Sequence, residues 1–323
     1  MSAFYGWIVT TSTQPRKRQL DIRAIINLRW AISGDSLEGV RLDGLGGASA
    51  LQAAGINLRD LRATANATAR RVPGMDLTIQ IVPEITERMT APNTVGILEG
   101  SDPELRDEYI VYSAHMDHVG TRCRRTGADT ICNGADDDAS GTVGIVALAE
   151  AFATIEPRPR RSIIFLTVSG EERGLWGSDY FAGHPPVPID NIVADLNADM
   201  IGRNWTDTIV VIGKEHSDLG ETLNRVNASH PELNMTAIDD LWPDESFYSR
   251  SDHYNFARRG VPVLFFFNGT HPDYHRSSDH TDKIDSEKAS RIVKLMLYLG
   301  LDVANRDARP QWNPESYREI VSE

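Results

Sequence analysis

The stretch YIVYSAH at residues 109–115, with the apolar segments that follow it, decides the fold of this chain. Its β-branched and aromatic residues favour a buried strand. Downstream, helical and extended patterns alternate. Helices are predicted at residues 141–152, from about 174 and at 284–304, and further strands at 161–170, 192–198 and 261–267. This alternation predicts an α/β fold in which a central mixed, mostly parallel β-sheet carries helices on both faces.

The region that precedes this sheet is less regular. It contains one helical pattern at residues 48–65 and short strand-like patterns at 7–10, 22–28, 76–82 and 93–97. The first of these stretches show no clear amphipathic period. We therefore predict an incomplete accessory segment at residues 1–37 and a main domain at residues 38–323.

The composition is that of a globular protein, since 41% of the 323 residues are hydrophobic and 24% are charged. The net charge of −13 repels phosphate groups, so we expect neither nucleic acid nor an anionic membrane surface as a partner. All apolar runs fall short of the ~18 residues that cross a bilayer. The opening MSAFYGWIV lacks the pattern of a secretory signal, which taken alone predicts a cytoplasmic location.

Residues with catalytic potential recur at the carboxyl ends of the predicted strands, the edge where open α/β sheets bind ligands. They are His115, Asp117, Asp136, Asp137, Asp138, Glu171, Glu172, Asp199 and His275. So many carboxylates on one rim repel one another, and bound cations relieve that repulsion. Mixed histidine and carboxylate donors favour zinc over calcium or magnesium. Because the donors outnumber what one tetrahedral ion requires, we predict two Zn2+ ions that share a bridging carboxylate.

Each of these pieces has an ordinary explanation when it is taken alone. A lone HxD pair is most often a surface or core contact, and a run of aspartates is usually a solvated loop or a helix N-cap cluster. Two adjacent glutamates commonly begin a helix. It is the joint occurrence, each time after an apolar strand, that favours a metal site.

Five motifs occur in order along the chain: AHMDHVG, NGADDDASGT, SGEERGLWGS, LNADMIG and DYHRSSDHTDKID. Together they resemble the co-catalytic zinc aminopeptidases, whose wider family includes glutamate carboxypeptidases and the transferrin-receptor ectodomain. The likeness extends over about residues 46–303 and implies a zinc-exopeptidase fold that removes N-terminal residues from peptide substrates. Related bacterial enzymes often carry an export signal and a protease-associated β-domain. Residues 1–37 are accordingly interpreted as the end of such a region, which leaves the compartment open.

The resemblance implies a role for each matched residue. His115 and Asp199 are expected to bind one zinc, Glu172 and His275 the other, and Asp137 to bridge both. The intervals between successive ligands are 22, 35, 27 and 76 residues, each long enough for the chain to return to the same sheet edge. A cis peptide bond after Asp137 is also implied.

Three more residues complete the expected chemistry. Since Glu172 is expected to bind zinc, Glu171 is free to act as general base and acid, taking a proton from the attacking water and passing it to the leaving amine. Asp117 lies two residues after His115 on an extended strand end, so it points the same way and is predicted to orient the imidazole. Tyr274 resembles the family tyrosine that hydrogen-bonds the oxyanion.

The substrate and the exact activity stay open at this point. A carboxypeptidase or dipeptidase of the same superfamily is one alternative, and a non-catalytic binding module with this fold is another. The aromatic residues Trp242, Phe247 and Tyr248 either wall a pocket for an apolar N-terminal side chain or pack their own loop. Arg203 and Arg250 are the candidates for binding a substrate carboxylate.

Two further sets of residues are weighed for secondary roles. Cys123 and Cys132 either form a disulfide or remain free thiols, because spacing alone does not fix the geometry. Four other histidines near the motifs are each expected either to support a metal ligand or to be structural, with the greatest importance expected for the one in SDH: His118, His253, His271 and His280. The oligomeric state is not indicated by the sequence.

Overall fold

The computed structural model describes residues 91–121, 123 and 128–321, and the backbone of two earlier strands. The chain divides into two compact units, Met1–Thr90 and Ala91–Glu323. In the first unit, β1 (Trp7–Ser12) pairs antiparallel with β2 (Asp76–Ile81), which agrees with two of the predicted strands. The predicted strand at 22–28, the predicted helix at 48–65 and the predicted boundary at 37/38 lie outside the described residues.

The described part of the second unit contains a seven-stranded sheet. Its strands are β3 (Thr94–Leu98), β4 (Tyr109–His115), β5 (Ser162–Val168), β6 (Ile192–Ala198), β7 (Thr208–Ile212), β8 (Thr236–Ile238) and β9 (Val263–Phe267). They lie in the order β3-β5-β4-β6-β9-β7-β8. The pairs β3–β5 and β7–β9 are antiparallel and the remaining neighbours are parallel, so the predicted mixed, mostly parallel sheet is confirmed.

Helices cover both faces of this sheet, as predicted. They are α1 (Gly141–Thr154), α2 (Trp176–Gly183), α3 (Leu219–Ser229), α4 (His253–Ala257), α5 (Ser286–Asn305) and α6 (Pro314–Ile320). Because successive strand residues point to opposite faces, Tyr112 of β4 packs against Phe152 of α1, with ring centroids 5.6 Å apart. Its neighbour Val111 packs on the other face, in a cluster with Phe181 of α2. Burying each such side chain contributes roughly 1.5–3 kcal/mol.

The long helix α5 closes the sheet, as the pattern at 284–304 predicted. Tyr112 donates a hydrogen bond from its hydroxyl to the carbonyl of Met296, at 2.9 Å. A Cβ at Gly300 would lie 1.7 Å from the same hydroxyl oxygen, so only glycine permits this close approach. The helix is therefore held against the central strand β4.

The sequence patterns did not predict several elements that lie between β6 and β9 in the chain. Strand β8 has only three residues and β7 has five, which is too short for a clear period. Helix α3 also escaped prediction, although it buries Leu219, Leu223 and Val226. Among the described residues, no helix combines the length and apolar character that crossing a membrane requires.

Candidate active site

Three neighbouring parallel strands deliver polar side chains to one edge of the sheet. His115 is the last residue of β4, Asp199 directly follows β6, and Glu171 and Glu172 lie in a 3₁₀ turn shortly after β5. Strands β5 and β6 both pair with β4 in parallel, so their carboxyl ends coincide. The sequence-predicted convergence at this edge is therefore present.

The turn that carries the two glutamates depends on two glycines. Gly170 (φ +83°) and Gly174 (φ +105°) flank it in left-handed conformations, which L side chains rarely adopt. The turn also explains why the next helix begins at Trp176, slightly later than predicted. Between the two glycines, Glu171 and Glu172 project from a chain that has just reversed direction.

The three aspartates form a second, buried segment at this edge. The peptide bond between Asp137 and Asp138 is cis, as the resemblance implied. Asp138 accepts hydrogen bonds from the backbone N–H groups of Gly141 (3.0 Å), Met200 (3.1 Å) and His115 (3.2 Å). Burial, followed by the charge of Asp199, raises the pKa of Asp138 well above its usual range. Asp138 thus joins the ends of β4 and β6 to the start of α1 and leaves the middle aspartate free to face the site.

The five predicted metal ligands come together around Asp137. Its Oδ1 lies 3.3 Å from His115 Nε2, and its Oδ2 lies 3.2 Å from His275 Nε2. His115 Nε2 is also 3.6 Å from Asp199 Oδ1, while His275 Nε2 is 3.1 Å from Glu172 Oε2. The carboxylate of Asp137 therefore stands between two donor pairs, one formed by His115 with Asp199 and the other by His275 with Glu172.

Several of these donor atoms are buried without a conventional partner. Within the described residues, Asp137 Oδ2, Glu172 Oε1 and Asp199 Oδ1 have imidazole nitrogens 2.9–3.6 Å away but no donor in hydrogen-bonding geometry. A buried carboxylate oxygen without a partner carries a large desolvation cost. Two trios of neighbouring donors among the described residues could each hold a cation, and these residues belong to them: one trio contains His115, Glu171 and Asp199, and the other contains His118, Asp137 and Glu172. The donor set fits divalent cations of the zinc type.

The imidazole of His118 lies within 4 Å of two predicted ligands, Glu172 and Asp137. Its Nδ1 is 2.9 Å from Glu172 Oε1 and 3.7 Å from Asp137 Oδ2. The imidazoles of His118 and His275 therefore each face a different oxygen of the Glu172 carboxylate. The DH pair in AHMDHVG is the only sequence signal that could have pointed to this contact.

Asp117 is placed differently from the sequence expectation. The ring Nδ1 of His115 lies 3.1 Å from the backbone carbonyl of Asp117, whereas the Asp117 carboxylate is 3.9 Å away. The imidazole is thus oriented by the carbonyl rather than by the carboxylate. The carboxylate instead accepts a hydrogen bond from the backbone N–H of Glu171, at 3.1 Å. Asp117 therefore connects the end of β4 to the turn that carries both glutamates.

Glu171 faces the same centre without belonging to either donor pair. A carboxylate oxygen of Glu171 lies within 4.8 Å of donor atoms of His115 and Asp199. Burial raises the pKa of Glu171 well above its usual range, and the nearby charges of Asp252 and Asp199 act in the same direction. A carboxyl group with a raised pKa accepts a proton readily near neutral pH.

Tyr274 stacks on His275, with ring centroids 3.9 Å apart. Burial raises the pKa of its hydroxyl, with further contributions from Asp137 and Asp199, so the hydroxyl stays protonated and available as a donor. Tyr274 and Glu171 line the same small cavity of about 40 Å³. The two polar side chains can therefore act on one bound molecule.

One wall of this cavity is apolar. It is formed by Met200, Phe247, Phe265 and Phe267. Trp242 packs behind Phe247 and Phe267, with ring centroids 5.7 and 5.8 Å away. Tyr248 turns away and contacts His253, at a centroid distance of 5.3 Å. Of the three aromatic residues singled out in the sequence, Phe247 thus lines the cavity, whereas Trp242 and Tyr248 pack the loop.

The SDH motif contributes through its first two residues. Ser251 donates a hydrogen bond to Asp199 Oδ2 at 3.0 Å, and this contact was not anticipated. Burial raises the pKa of the neighbouring Asp252 to about 6. His253, which was expected to matter most, instead stacks on Phe265 with a centroid distance of 4.4 Å, away from the donor atoms. Of the two roles expected for His253, the structural one is therefore present, whereas Ser251 contacts the predicted ligand Asp199.

The two arginines considered for substrate binding differ in their surroundings. Arg203 is engaged by Asp273, with Nη2 2.9 Å from Oδ2, and its side chain is 16% exposed. Arg250 lines the cavity and lies over the Phe247 ring, with its guanidinium carbon 4.6 Å from the ring centroid. Only Arg250 of this pair is therefore placed to meet a bound molecule.

The two cysteines form a disulfide in the loop between β4 and the aspartate segment, with their Cα atoms 5.7 Å apart. This distance lies within the range that a disulfide requires. The pairing decides between the two states that the sequence left open. It closes a loop that begins five residues after His118 and ends four residues before Asp136.

Comparison with known proteins places this architecture among zinc peptidases. The model of Peptidase family M28 matches residues 93–300. A probable zinc metalloprotease of Pyricularia oryzae is 28% identical over 288 residues, covering 73% of this chain and 55% of that protein. Aminopeptidase YwaD of Bacillus subtilis is 24% identical over 234 residues, covering 69% and 47%. The chain thus spans about half the length of the curated relatives it matches.

Solved structures show the same fold. An aminopeptidase from Aneurinibacillus sp. strain AM-1 aligns with a TM-score of 0.54 and 21% identity, over 76% of this chain and 53% of that one. The LapA aminopeptidase of Legionella pneumophila aligns with a TM-score of 0.55 and 24% identity, over 67% and 56%. Since the family model covers more than half of the sequence, in agreement with the predicted relationship, this chain belongs to Peptidase family M28.

Proposed function

We propose that this chain forms the catalytic part of a two-zinc aminopeptidase, which hydrolyses the N-terminal peptide bond of peptide substrates. His115 and Asp199 would hold one zinc, Glu172 and His275 would hold the other, and Asp137 would be shared by both. The observation that carries the proposal is the position of the Asp137 carboxylate, whose two oxygens each lie within 3.3 Å of a different imidazole.

The residues present fit two cations. Five donor side chains surround one point, and three of their oxygens are buried without a hydrogen bond among the described residues. Without cations, the crowded carboxylates repel one another at a cost that grows with burial. Zinc, when bound, supplies Lewis acidity that polarises the scissile carbonyl and makes a water molecule easier to deprotonate.

Glu171 is proposed as the general base and acid. It accepts a proton from the attacking water and delivers that proton to the leaving amine, so the carboxyl returns to its starting state. The Asp117 carboxylate holds the backbone N–H of Glu171, while the Asp117 carbonyl holds the ring of His115. Asp117 therefore fixes the position of Glu171, the proposed base, relative to His115, a proposed ligand, during the reaction.

Tyr274 is proposed to stabilise the oxyanion. Its hydroxyl stays protonated and lines the same cavity as Glu171. A hydroxyl that donates to the oxygen on which charge develops lowers the barrier, because the bond is stronger in the transition state than in the ground state.

Two features favour an aminopeptidase over a carboxypeptidase. The carboxylates of Glu171 and Asp199 favour a substrate ammonium group at the rim. Of the two arginines considered for binding a substrate carboxylate, Arg203 is occupied by Asp273, so the carboxypeptidase alternative depends on Arg250 alone. The apolar wall, centred on Phe247, suits an uncharged N-terminal side chain.

The test combines zinc content with substrate blocking. We expect two zinc ions per chain by elemental analysis and cleavage of aminoacyl-nitroanilides. Treatment with a chelator should remove the zinc and abolish the cleavage. Blocking the amino group of a dipeptide should abolish cleavage, whereas blocking its carboxyl group should not. The reverse pattern would identify a carboxypeptidase. Binding of the dipeptides without cleavage, by a zinc-loaded protein, would identify a non-catalytic module.

A further inference from the structure

The loop that presents Tyr274 and His275 has an unfavourable backbone at its functional residue. His275 adopts φ +53°, in the left-handed region that side chains other than glycine rarely occupy. Such a conformation is unfavourable for residues other than glycine and persists only where surrounding contacts hold it. The contacts that hold this loop are therefore part of what places the His275 imidazole.

Arg203 contacts the loop on both sides of His275. Its Nη2 lies 2.9 Å from Asp273 Oδ2, and its Nη1 lies 3.7 Å from Asp279 Oδ1. The Asp279 side chain is fully buried, and those of Arg203 and Asp273 are 16% and 15% exposed. The contact with Asp273 is a hydrogen-bonded ion pair, and the contact with Asp279 is an ion pair without a hydrogen bond. Ion pairs between side chains this buried are weakly screened.

Asp279 extends this connection to the bridging residue. Its Oδ2 accepts hydrogen bonds from the backbone N–H of Asp136, at 2.9 Å, and of Asp137, at 3.3 Å. The same carboxylate thus faces Arg203 with one oxygen and the aspartate segment with the other. A chain of contacts runs from the loop of His275, through Arg203 and Asp279, to the backbone of Asp137.

Arg203 is itself anchored from below. Its backbone carbonyl accepts a hydrogen bond from the buried ammonium group of Lys288 on α5. Arg203 lies four residues after Asp199, on the segment that follows β6. The guanidinium therefore joins the end of β6 to the loop of His275, whose Asp273 lies 70 residues further along the chain.

We propose that Arg203 is a positioning residue, which fixes His275 relative to Asp137 and so shapes the donor pair of Glu172 and His275. The inference rests on the proposed function. The other donor pair, His115 and Asp199, is held by Asp138 and Ser251 and does not use Arg203. Loss of the guanidinium should therefore weaken one metal position much more than the other.

The experiment compares two variants. Arg203→Met keeps the aliphatic part of the side chain and removes the guanidinium group, whereas Arg203→Lys keeps the positive charge without the guanidinium geometry. Arg225→Met is the matched control, because Arg225 makes a two-bond ion pair with Asp302 on the surface, where its side chain is 60% exposed. Zinc affinity is measured by competition with a chelating dye, and stoichiometry by elemental analysis. Thermal unfolding of each metal-free protein monitors the fold.

The wild type and the control should each bind two zinc ions with the same affinities. Arg203→Met should bind one zinc normally and the other about 10- to 100-fold more weakly, as is typical when a residue that orients a ligand is removed. Arg203→Lys should fall between them. Equal weakening of both zinc ions, or no weakening, would overturn the proposal.

A second variant keeps the test decisive if Arg203→Met does not fold. Asp273→Asn removes the charge that the guanidinium binds, and it should also weaken one zinc selectively. Unchanged affinities in this variant would again contradict the positioning role. Failure of the wild type to bind two zinc ions would instead refute the proposed function, so the two failures are distinguishable.

Discussion

Replacing Glu171 by Gln separates the base from the metal ligands. The variant preserves side-chain shape and all five proposed ligands, and the hydrogen bond to Asp117 survives because it comes from the backbone N–H. A missing general base typically costs about 10²- to 10⁴-fold in turnover, which corresponds to about 3–5 kcal/mol of transition-state stabilisation. We therefore expect turnover of an aminoacyl-nitroanilide to fall by about that factor, with zinc content unchanged.

The same substitution should not lower the stability of the metal-free protein, although it lowers turnover. Burial and neighbouring carboxylates raise the pKa of Glu171, so its charged form opposes folding in the metal-free protein. A neutral Gln removes that penalty. We expect metal-free Glu171→Gln to unfold at the same temperature as the metal-free wild type or at a higher one.

The matched control is Glu150→Gln, which removes an exposed carboxylate on α1. It should leave turnover, zinc content and thermal unfolding unchanged. Turnover of Glu171→Gln close to that of the wild type would refute the assignment of the base. A loss of turnover accompanied by loss of zinc would show that Glu171 acts as a ligand instead.

Three further changes test other parts of the site. Asp137→Ala removes the oxygens shared by both donor pairs, so elemental analysis should show loss of zinc together with activity. His118→Ala should weaken zinc binding by about 10- to 100-fold, whereas His118→Asn, which can place a donor near Glu172 Oε1, should recover part of the loss; equal affinities in both variants and the wild type would exclude a role. Burial lowers the pKa of His253 to about 3, below its unfolded value, so its contribution to stability is present above about pH 6.5 and is lost as pH falls towards 3. Urea unfolding at pH 7 and pH 5 should show a smaller drop in His253→Phe than in the wild type, while the exposed-site control His184→Gln should behave like the wild type.

Much of the sheet was predictable because its central strands are apolar and regular. The segment YIVYSAH matched β4 residue for residue, and the pattern at 192–198 matched β6. Strands buried on both faces carry a continuous apolar signal that survives without knowledge of their neighbours. Shorter elements such as β8 lack that signal, since their pairing partner rather than their composition makes them strands.

The roles of supporting residues were harder to predict. Asp117 was expected to use its carboxylate on His115, but the carbonyl takes that place and the carboxylate turns to Glu171. Ser251, rather than His253, contacts a proposed ligand. In each case a rotation about one or two bonds decides which group reaches the partner, and sequence spacing does not specify that rotation.

By itself, the sequence determined which chemistry is available: an α/β scaffold, and histidines and carboxylates at the ends of its strands in an order that marks the family. Residue type and local pattern are sufficient for that, because they set strand propensity and donor character. Only the tertiary structure decided that Asp137 lies between two imidazoles, that Cys123 and Cys132 are joined, and that Arg203 faces Asp273 and Asp279 rather than a substrate. These contacts join segments far apart in the chain, and the register of the sheet and the packing of its loops bring them together.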